Sequence, residues 1–478
     1  MLTLLPVLLP LVGGAAVFPL QNRKRREFLS VAVTLLTAGS AILLSLRRGD
    51  AVTLLRLSGT LSLSLRADGL SAVFLPLITV IWFFVLLYAF DYTAEDAHPS
   101  RFFGFYLWTL SALLGLSLAA NLETAYMFFE MMTLVSMPLV LQDGLLRSRE
   151  AALQYLGFSA LGATLALLGF FLLAPYASGT AFTAGGVSFA AGHEKALTAA
   201  FFLLALGFGA KAGLVPLQAW LPVAHPVAPA PASAVLSGLV TKGGVLAVLR
   251  VTLYLFGADF VRGTWAQTVL LTLALLTVFL GSMLALRETV LKKRLAYSSV
   301  SNVSYVLFGL FLLEPDALTG AFLQIVFHAF AKCALFLAAG AMIHACHADT
   351  VSAFPGIGKR MPLTLSAFAF ASLSLVGIPP LGGFAAKWYL ALGALQGGGT
   401  LGLVGVAVLL ISALLTAFYL FPLVTRGFFP GDEPSADGAE AGGRMCAAML
   451  VFAAATLLFG AYPAPLIRYF TSLASTLL

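Results

Sequence analysis

Apolar runs of roughly 17–25 residues, each long enough to span a bilayer core, recur from one end of the chain to the other. Fourteen stand out: 2–20, 28–46, 68–90, 102–120, 122–142, 151–174, 197–225, 231–254, 265–286, 296–313, 318–343, 362–395, 400–423 and 445–463. None alternates polar and apolar residues over ten-residue stretches, as strands of a transmembrane barrel do. Backbone groups in lipid have no water to bond, so the runs predict helices. The pattern is that of an all-α polytopic membrane protein with about 14 transmembrane helices.

Two runs are interrupted. The seventh breaks around "GLVPLQAWLP" and the twelfth around "LVGIPPLGGF". A lysine accompanies each break, Lys211 before the first and Lys387 after the second. The breaks lie five spans apart, which divides spans 4–8 and 9–13 into two five-helix repeats, each with its broken helix fourth. An odd number of spans inverts the second repeat relative to the first, the plan of many transporters. The expected organisation is a three-helix segment over 1–100, a first repeat over 101–255, a second over 256–425, and a cytoplasmic loop with a last helix over 426–478.

Composition agrees. Sixty per cent of the 478 residues are hydrophobic and 10% are charged, against roughly 45–50% and about 25% in soluble domains. The first run lacks a basic start and is followed by "RKRR", which argues against a cleavable signal and places the N-terminus outside. Loops after odd-numbered spans hold fifteen Lys and Arg, including Arg23, Lys292, Lys293, Arg294 and Arg444. The opposite side holds eight, among them Arg47, Arg48, Arg66, Arg250 and Arg468. The excess marks the odd loops as cytoplasmic in an inner (plasma) membrane protein. It also accounts for the +7 net charge, so there is no case for a nucleic-acid partner. The three cysteines, Cys333, Cys346 and Cys446, show no pairing pattern and no metal-ligand spacing.

Four of the 27 basic residues remain, Lys211, Lys242, Lys332 and Lys387, and all fall inside spans. Glu130 is the one acid deep inside a span, and His328 the one mid-span histidine, four residues before Lys332 on the same helical face. Each such charge costs roughly 2.5–3.5 kcal/mol on insertion scales. Any one could belong to a structural ion pair. Four lysines cannot all pair with one glutamate, so water or a mobile proton has to serve the others. His225, in the first break, is a candidate coupling residue or simply the partner of a helix-end hydrogen bond. The string "HACHADT" holds metal-ligand types, but no second cluster accompanies it. The sequence has no Gly-rich dinucleotide fingerprint, phosphate loop or cysteine cluster, so no cofactor and no metal is expected in this chain.

Five stretches in order carry a family resemblance. "GFGAKAGLVPLQAWLPVAHPVAPAPASAVLSGLVTKGG" resembles the signature of the antiporter-like subunits shared by respiratory complex I, Mrp-type cation/proton antiporters and energy-converting hydrogenases. "FFEMMTLVS" resembles the family's Trp-Glu-Leu-Met-Ser motif, with its glutamate at Glu130. "KKRLAYSSVSNVSYV" is similar to the opening of the family's tenth helix, and "FHAFAKCALFLAAGAMIH" to its His-Ala-Phe-Phe-Lys helix, carried by His328 and Lys332. "GIPPLGGFAAKW" resembles the second broken helix with Lys387. The likeness runs over about 65–425. Phe129 stands where tryptophan is usual, Gln324 where some relatives have histidine, and Lys242 where another branch uses histidine. The long lateral helix of the distal complex I subunit is not expected.

The resemblance implies a proton-translocating subunit that works with other membrane subunits, in a relay of Glu130, Lys211, Lys242, His328, Lys332 and Lys387. A carboxylate that approaches and leaves Lys211 makes the lysine hold and release a proton alternately. Three readings remain open at this point: a redox-driven complex I-like or hydrogenase subunit, an Mrp-type antiporter exchanging sodium for protons without redox chemistry, and a purely structural membrane anchor. On the first two, the chain itself is non-catalytic within a translocase, and its cargo is H+, with Na+ in the antiporter case.

Overall fold

The computed structural model describes residues 2–47, 49–56, 58, 61–397 and 399–478; Arg48, counted above, lies outside them. Helices α1 (Leu5–Val17) and α2 (Arg23–Arg47) precede an antiparallel strand pair, β1 (Gly49–Arg56) and β2 (Ser62–Ala67). Then follow α3 (Gly69–Tyr92), α4 (Pro99–Leu118), α5 (Leu122–Val140), α6 (Leu146–Leu173), α7 (Glu194–Ala212) and the short α8 (Trp220–Val227). The continuous helix α9 (Ala230–Phe256) contains two π segments, Leu236–Val240 and Val251–Phe256. After it come α10 (Trp265–Arg287), α11 (Leu291–Leu312), α12 (Pro315–Cys346), α13 (Pro362–Val376), α14 (Gly382–Gly397), α15 (Gly399–Phe428), α16 (Gly443–Ala461) and α17 (Ala464–Leu477). Among the described residues, eleven helices are long and apolar enough to cross a membrane, so this is a multi-pass membrane protein.

Both expected interruptions are present. α7 ends at Gly213 and α13 at Gly377, each in the left-handed region (φ 85° and 94°) where a residue without Cβ meets no steric cost. The chain then turns through 213–219 and 377–381 before re-entering helix. The stretches expected as spans at 2–20 and 362–395 are shorter helices, and α5 over 122–142, which carries Glu123 and Glu130, is not among the eleven.

Three features were not anticipated. Residues 61–67 read Leu-Ser-Leu-Ser-Leu-Arg-Ala, a two-residue period that folds as β2. Its edge is tied to the α4–α5 turn, since Ser64 N donates to Thr124 Oγ1 (2.9 Å) and Ala120 N to Ser64 O (3.0 Å). The final helix α17 is the second. The third is the placement of two basic residues counted in loops. Arg250 lies within α9, fully buried, and Lys292 is buried in the first turn of α11, donating to Ala228 O (2.9 Å). Packing encloses both groups at the helix ends.

Helices sort into centre and rim. The most apolar stretches of α9 and α12 are wholly buried, whereas α2, α6 and α15 show most of theirs outward. Leu35 and Leu36 on α2 and Leu410 and Leu414 on α15 form such faces, which lipid solvates as well as protein would. The polar residues gather on the central helices. Close backbone approach makes this possible: a Cβ on Gly207 of α7 would fall 2.5 Å from Ala166 N of α6.

A buried ion pair clamps the hairpin end. Arg250 donates to Asp68 Oδ2 (2.7 Å), Asp68 Oδ1 (3.4 Å), Ser71 Oγ (3.3 Å) and Ser117 O (2.6 Å), joining α9 to the start of α3 and the end of α4. Asp68 also caps α3 by accepting from Ser71 N (3.0 Å). Burial alone pushes the Asp68 carboxyl up, but the Arg250 charge and hydrogen bond, with Ser71, outweigh it and hold it below its ordinary value. A depressed carboxyl contributes stability above its unfolded value, about pH 4, and loses it as pH falls through the lowered folded value. Asp68→Asn is therefore expected to destabilise the purified protein by about 3–5 kcal/mol, because Arg250 is left buried without its counter-charge. Thermal unfolding in detergent checks this; an Asp68→Asn, Arg250→Met double variant should recover much of the loss.

Candidate functional site

The site is a row of cationic and hydroxyl groups across the central helices, starting at the first break. Lys211 occupies the last turn of α7 and is fully buried. Its three ammonium donors are all used: on Thr133 Oγ1 of α5 (2.8 Å), and on Tyr155 OH (2.8 Å) and Ser159 Oγ (2.9 Å), one turn apart on α6. Nζ also sits 4.1 Å from the Tyr155 ring centroid and 5.6 Å from that of Trp220. Trp220, which opens α8, turns its Nε1 back to Ala210 O (3.0 Å) and so holds the far side of the break against α7. Tyr155 OH in turn lies 2.6 Å from Ser136 Oγ.

Glu130 is not among the partners of Lys211. It lies half-buried on α5, three residues before Thr133, with Oε1 enclosed and unbonded. No direct hydrogen bond or ion pair joins it to Lys211, whose three donors are taken by neutral hydroxyls; the expected approach within direct or one-water reach is not made directly.

Lys242 follows the first π segment of α9. There the Thr241 N–H reaches back to Leu236 O, and Ser237 O accepts from both Thr241 Oγ1 (2.7 Å) and Lys242 Nζ (2.7 Å). Lys242 Nζ also lies 2.5 Å from His328 Nδ1 on α12. With the lysine donating, His328 carries its proton on Nε2, which is buried and unpartnered. Asn302, Gln324, Ser374 and Leu375 pack beside His328 and leave no space there large enough for a water molecule. Ser374 Oγ there is unpartnered too.

Lys332, one turn beyond His328, does not bond to it. It donates to Leu295 O (2.8 Å) and to Ser298 Oγ, both on α11. Lys387 completes the row from the second break. Its Nζ donates to Leu375 O (2.8 Å) and Val376 O (2.7 Å), the last carbonyls of α13, and lies 5.4 Å from the Tyr305 ring centroid. Carbonyls at a helix C-terminus have no intrahelical donor and carry partial negative charge, which suits a cation. His225 is fully buried, has both ring nitrogens unbonded and stacks on Phe336 with centroids 4.7 Å apart. The helix-end bond considered for its ring is therefore not made.

The structure thus gathers Lys211, Lys242, His328, Lys332 and Lys387 into the interior of one helical assembly and leaves Glu130 at its edge. Reading the sequence missed the hydroxyl partners Thr133, Tyr155, Ser159, Ser237 and Ser298. The signal for two of them is slight: Tyr155 and Ser159 stand one helical turn apart on α6.

Residues 119–416 match the model of the transmembrane family of NADH:quinone oxidoreductase and Mrp antiporters. The chain belongs to this family. A second match, to the N-terminus of complex I chain 5, covers residues 57–103. Among relatives of this antiporter-like chain, NADH-quinone oxidoreductase subunit N of Desulforudis audaxviator is 34% identical over 74% of the chain and 71% of its own length. A Na(+)/H(+) antiporter subunit of Alkalihalophilus pseudofirmus is 27% identical over 100% of this chain and 97% of its own. A chain of respiratory complex I from Thermus thermophilus superposes with a TM-score of 0.82 at 25% identity, covering all of both chains. Glu130 and every residue of the interior row fall inside the larger family match.

The spacing of α7 and α9 depends on Gly244, two residues beyond Lys242. A Cβ there would lie 2.6 Å from Ala212 N and 2.9 Å from Lys211 Cβ. Since backbone cannot yield as a side chain does, Gly244→Ala is expected to cost about 1–3 kcal/mol of stability through overpacking. A lowered thermal midpoint, with Lys211 and Lys242 both unchanged in sequence, is the measurement that checks it.

Proposed function

We propose that this chain is an ion-translocating subunit of a larger membrane complex, passing protons along Glu130, Lys211, Lys242, His328, Lys332 and Lys387. The observation that carries the reading is the 2.5 Å approach of Lys242 Nζ to His328 Nδ1 between the two broken helices. Two basic groups that close share one proton between them. Histidine suits the middle of a relay because its ordinary pKa lies near 6.5. No redox cofactor is assigned to this chain; energy from electron transfer would come from partner subunits.

The proposed architecture is fourteen spans, with inverted repeats over 101–255 and 256–425 flanked by the segments 1–100 and 426–478. α4 to α9 form the first repeat and α10 to α15 the second, and a Gly-ended half-helix stands fourth in each. The N-terminus is placed outside an inner (plasma) membrane, on the excess of Lys and Arg in the odd loops. Partner subunits are supported by the two ends of the row. Glu130 is half-buried one turn from Leu134, which is 58% exposed, and Lys387 is half-buried beside Trp388, 58% exposed. A carboxylate at membrane depth is costly against lipid, so a neighbouring protein surface is the fitting cover.

A second reading is a sodium–proton antiporter subunit without redox chemistry, favoured by the end-to-end likeness to the Alkalihalophilus pseudofirmus antiporter chain. A nickel–iron or quinone-reducing partner that copurifies supports the first reading; small antiporter subunits alone support the second.

Two measurements test the proposal. Lys242→Ala is expected to leave the complex assembled and to cut proton uptake in proteoliposomes at least tenfold, because truncating a buried cation removes its desolvation cost and breaks the relay; normal pumping would sink the relay. For topology, a cysteine placed at exposed Lys24 should react with an impermeant thiol reagent only after the membrane is opened. Labelling of intact cells would reverse the orientation.

A further inference from the structure

Away from the row, α17 lies beside two adjoining cavities that Tyr469 borders in common. One is an apolar groove of about 580 Å³ between α3, α12, α16 and α17, walled by Ala72, Leu77, Val80, Phe330, Ala455 and Leu458. The other is a polar pocket of about 530 Å³ at the hairpin end, with Arg66, Thr183, Tyr254, Ser472 and Thr476 on its walls. The groove follows α3 from Ala72 to Val80, about 12 Å at 1.5 Å per residue, close to one leaflet's share of a core roughly 30 Å thick.

The charge at the mouth is positive. Asp68 borders the polar pocket, but Arg250 neutralises it. Arg66 has no carboxylate partner among the described residues; its Nη2 donates to Phe182 O and its Nε is buried without an acceptor. Arg468 is exposed on α17 next to Tyr469, and α17 contains no acid. α17 turns Phe470, Leu473 and Leu477 inward and leaves Arg468 and Ser475 on its outer side, the form of a helix lying at a membrane interface.

We propose that this chain holds one phospholipid of the hairpin-side leaflet, its acyl chains in the α3–α12–α16–α17 groove and its anionic phosphate headgroup at Arg66. The apolar groove takes hydrocarbon with no hydrogen-bond cost, and the adjoining pocket is walled by the Arg66 guanidinium, which has no carboxylate partner among the described residues. A zwitterionic headgroup brings its own cation beside its phosphate and leaves the positive mouth uncompensated, so the site selects anionic over zwitterionic lipid.

The test is native mass spectrometry of the full chain in its membrane complex, stripped of lipid and then offered phosphatidylglycerol or phosphatidylcholine. One phosphatidylglycerol is expected to be retained in preference, and less strongly as salt is raised. Arg66→Gln should lower its retention roughly fivefold, the effect of one basic residue at an anionic surface, and abolish the preference. Ala455→Phe should fill the groove and release both lipids. Elution as a single species and an unchanged thermal midpoint establish that the variants are folded, and the salt dependence of the unsubstituted protein tests the headgroup contact without any variant. Equal retention of the two lipids by the unsubstituted protein overturns the proposal. So does unchanged retention in folded Ala455→Phe, or stoichiometric cross-linking of a Leu458→Cys variant to a partner subunit's helix.

Discussion

An ammonium group placed in a hydrocarbon interior has to be given oxygen atoms, and much of the central architecture serves that need. Insertion of each lysine costs roughly 2.5–3.5 kcal/mol, while a hydrogen bond to a charged group returns about 1.5–3 kcal/mol. Two or three bonds per lysine therefore offset that cost. Lys211 finds three hydroxyls. Lys242 and Lys387 rely on main-chain carbonyls at the π segment of α9 and the end of α13. Lys332 shares the Leu295 carbonyl within unbroken α11 and adds the Ser298 hydroxyl. For Lys242 and Lys387, helix irregularity and buried charge are thus two sides of one requirement.

The multi-pass helical character and both breaks were legible because they depend on local chemistry: apolar length, Pro216, Gly213, Gly377 and the Pro379–Pro380 pair all speak for themselves in one dimension. The lysines were legible because charge is rare in an apolar run. What the lysines bind was not. Tyr155 and Ser159 are ordinary residues of α6 until the fold carries Lys211 to them from 52 positions or more away. The absence of a direct Glu130–Lys211 bond has the same cause, since opposite charge is visible in sequence and competing hydroxyls are not.

The hairpin and the Arg250–Asp68 pair show a second limit. A search for long apolar runs passes over the alternating Leu and Ser of 61–67. Arg250 stands within the last turns of the run 231–254 and was counted with the loop that follows; packing encloses it, because Asp68, Ser71 and Ser117 O converge on it from two other helices. Counting charges by loop therefore includes one residue that is fully buried.

The closeness of Lys242 and His328 has a consequence for arithmetic. Two unit charges 2.5 Å apart repel by about 7 kcal/mol at an effective dielectric of 20, so the doubly charged pair is too rare to matter. On the proposed relay the two residues are therefore one carrier, not two, and its tally of mobile charges is smaller by one than its tally of bases. The same relay makes the centre of the protein a place where occupancy alternates: a second proton arriving from either side would have to wait for, or expel, the first.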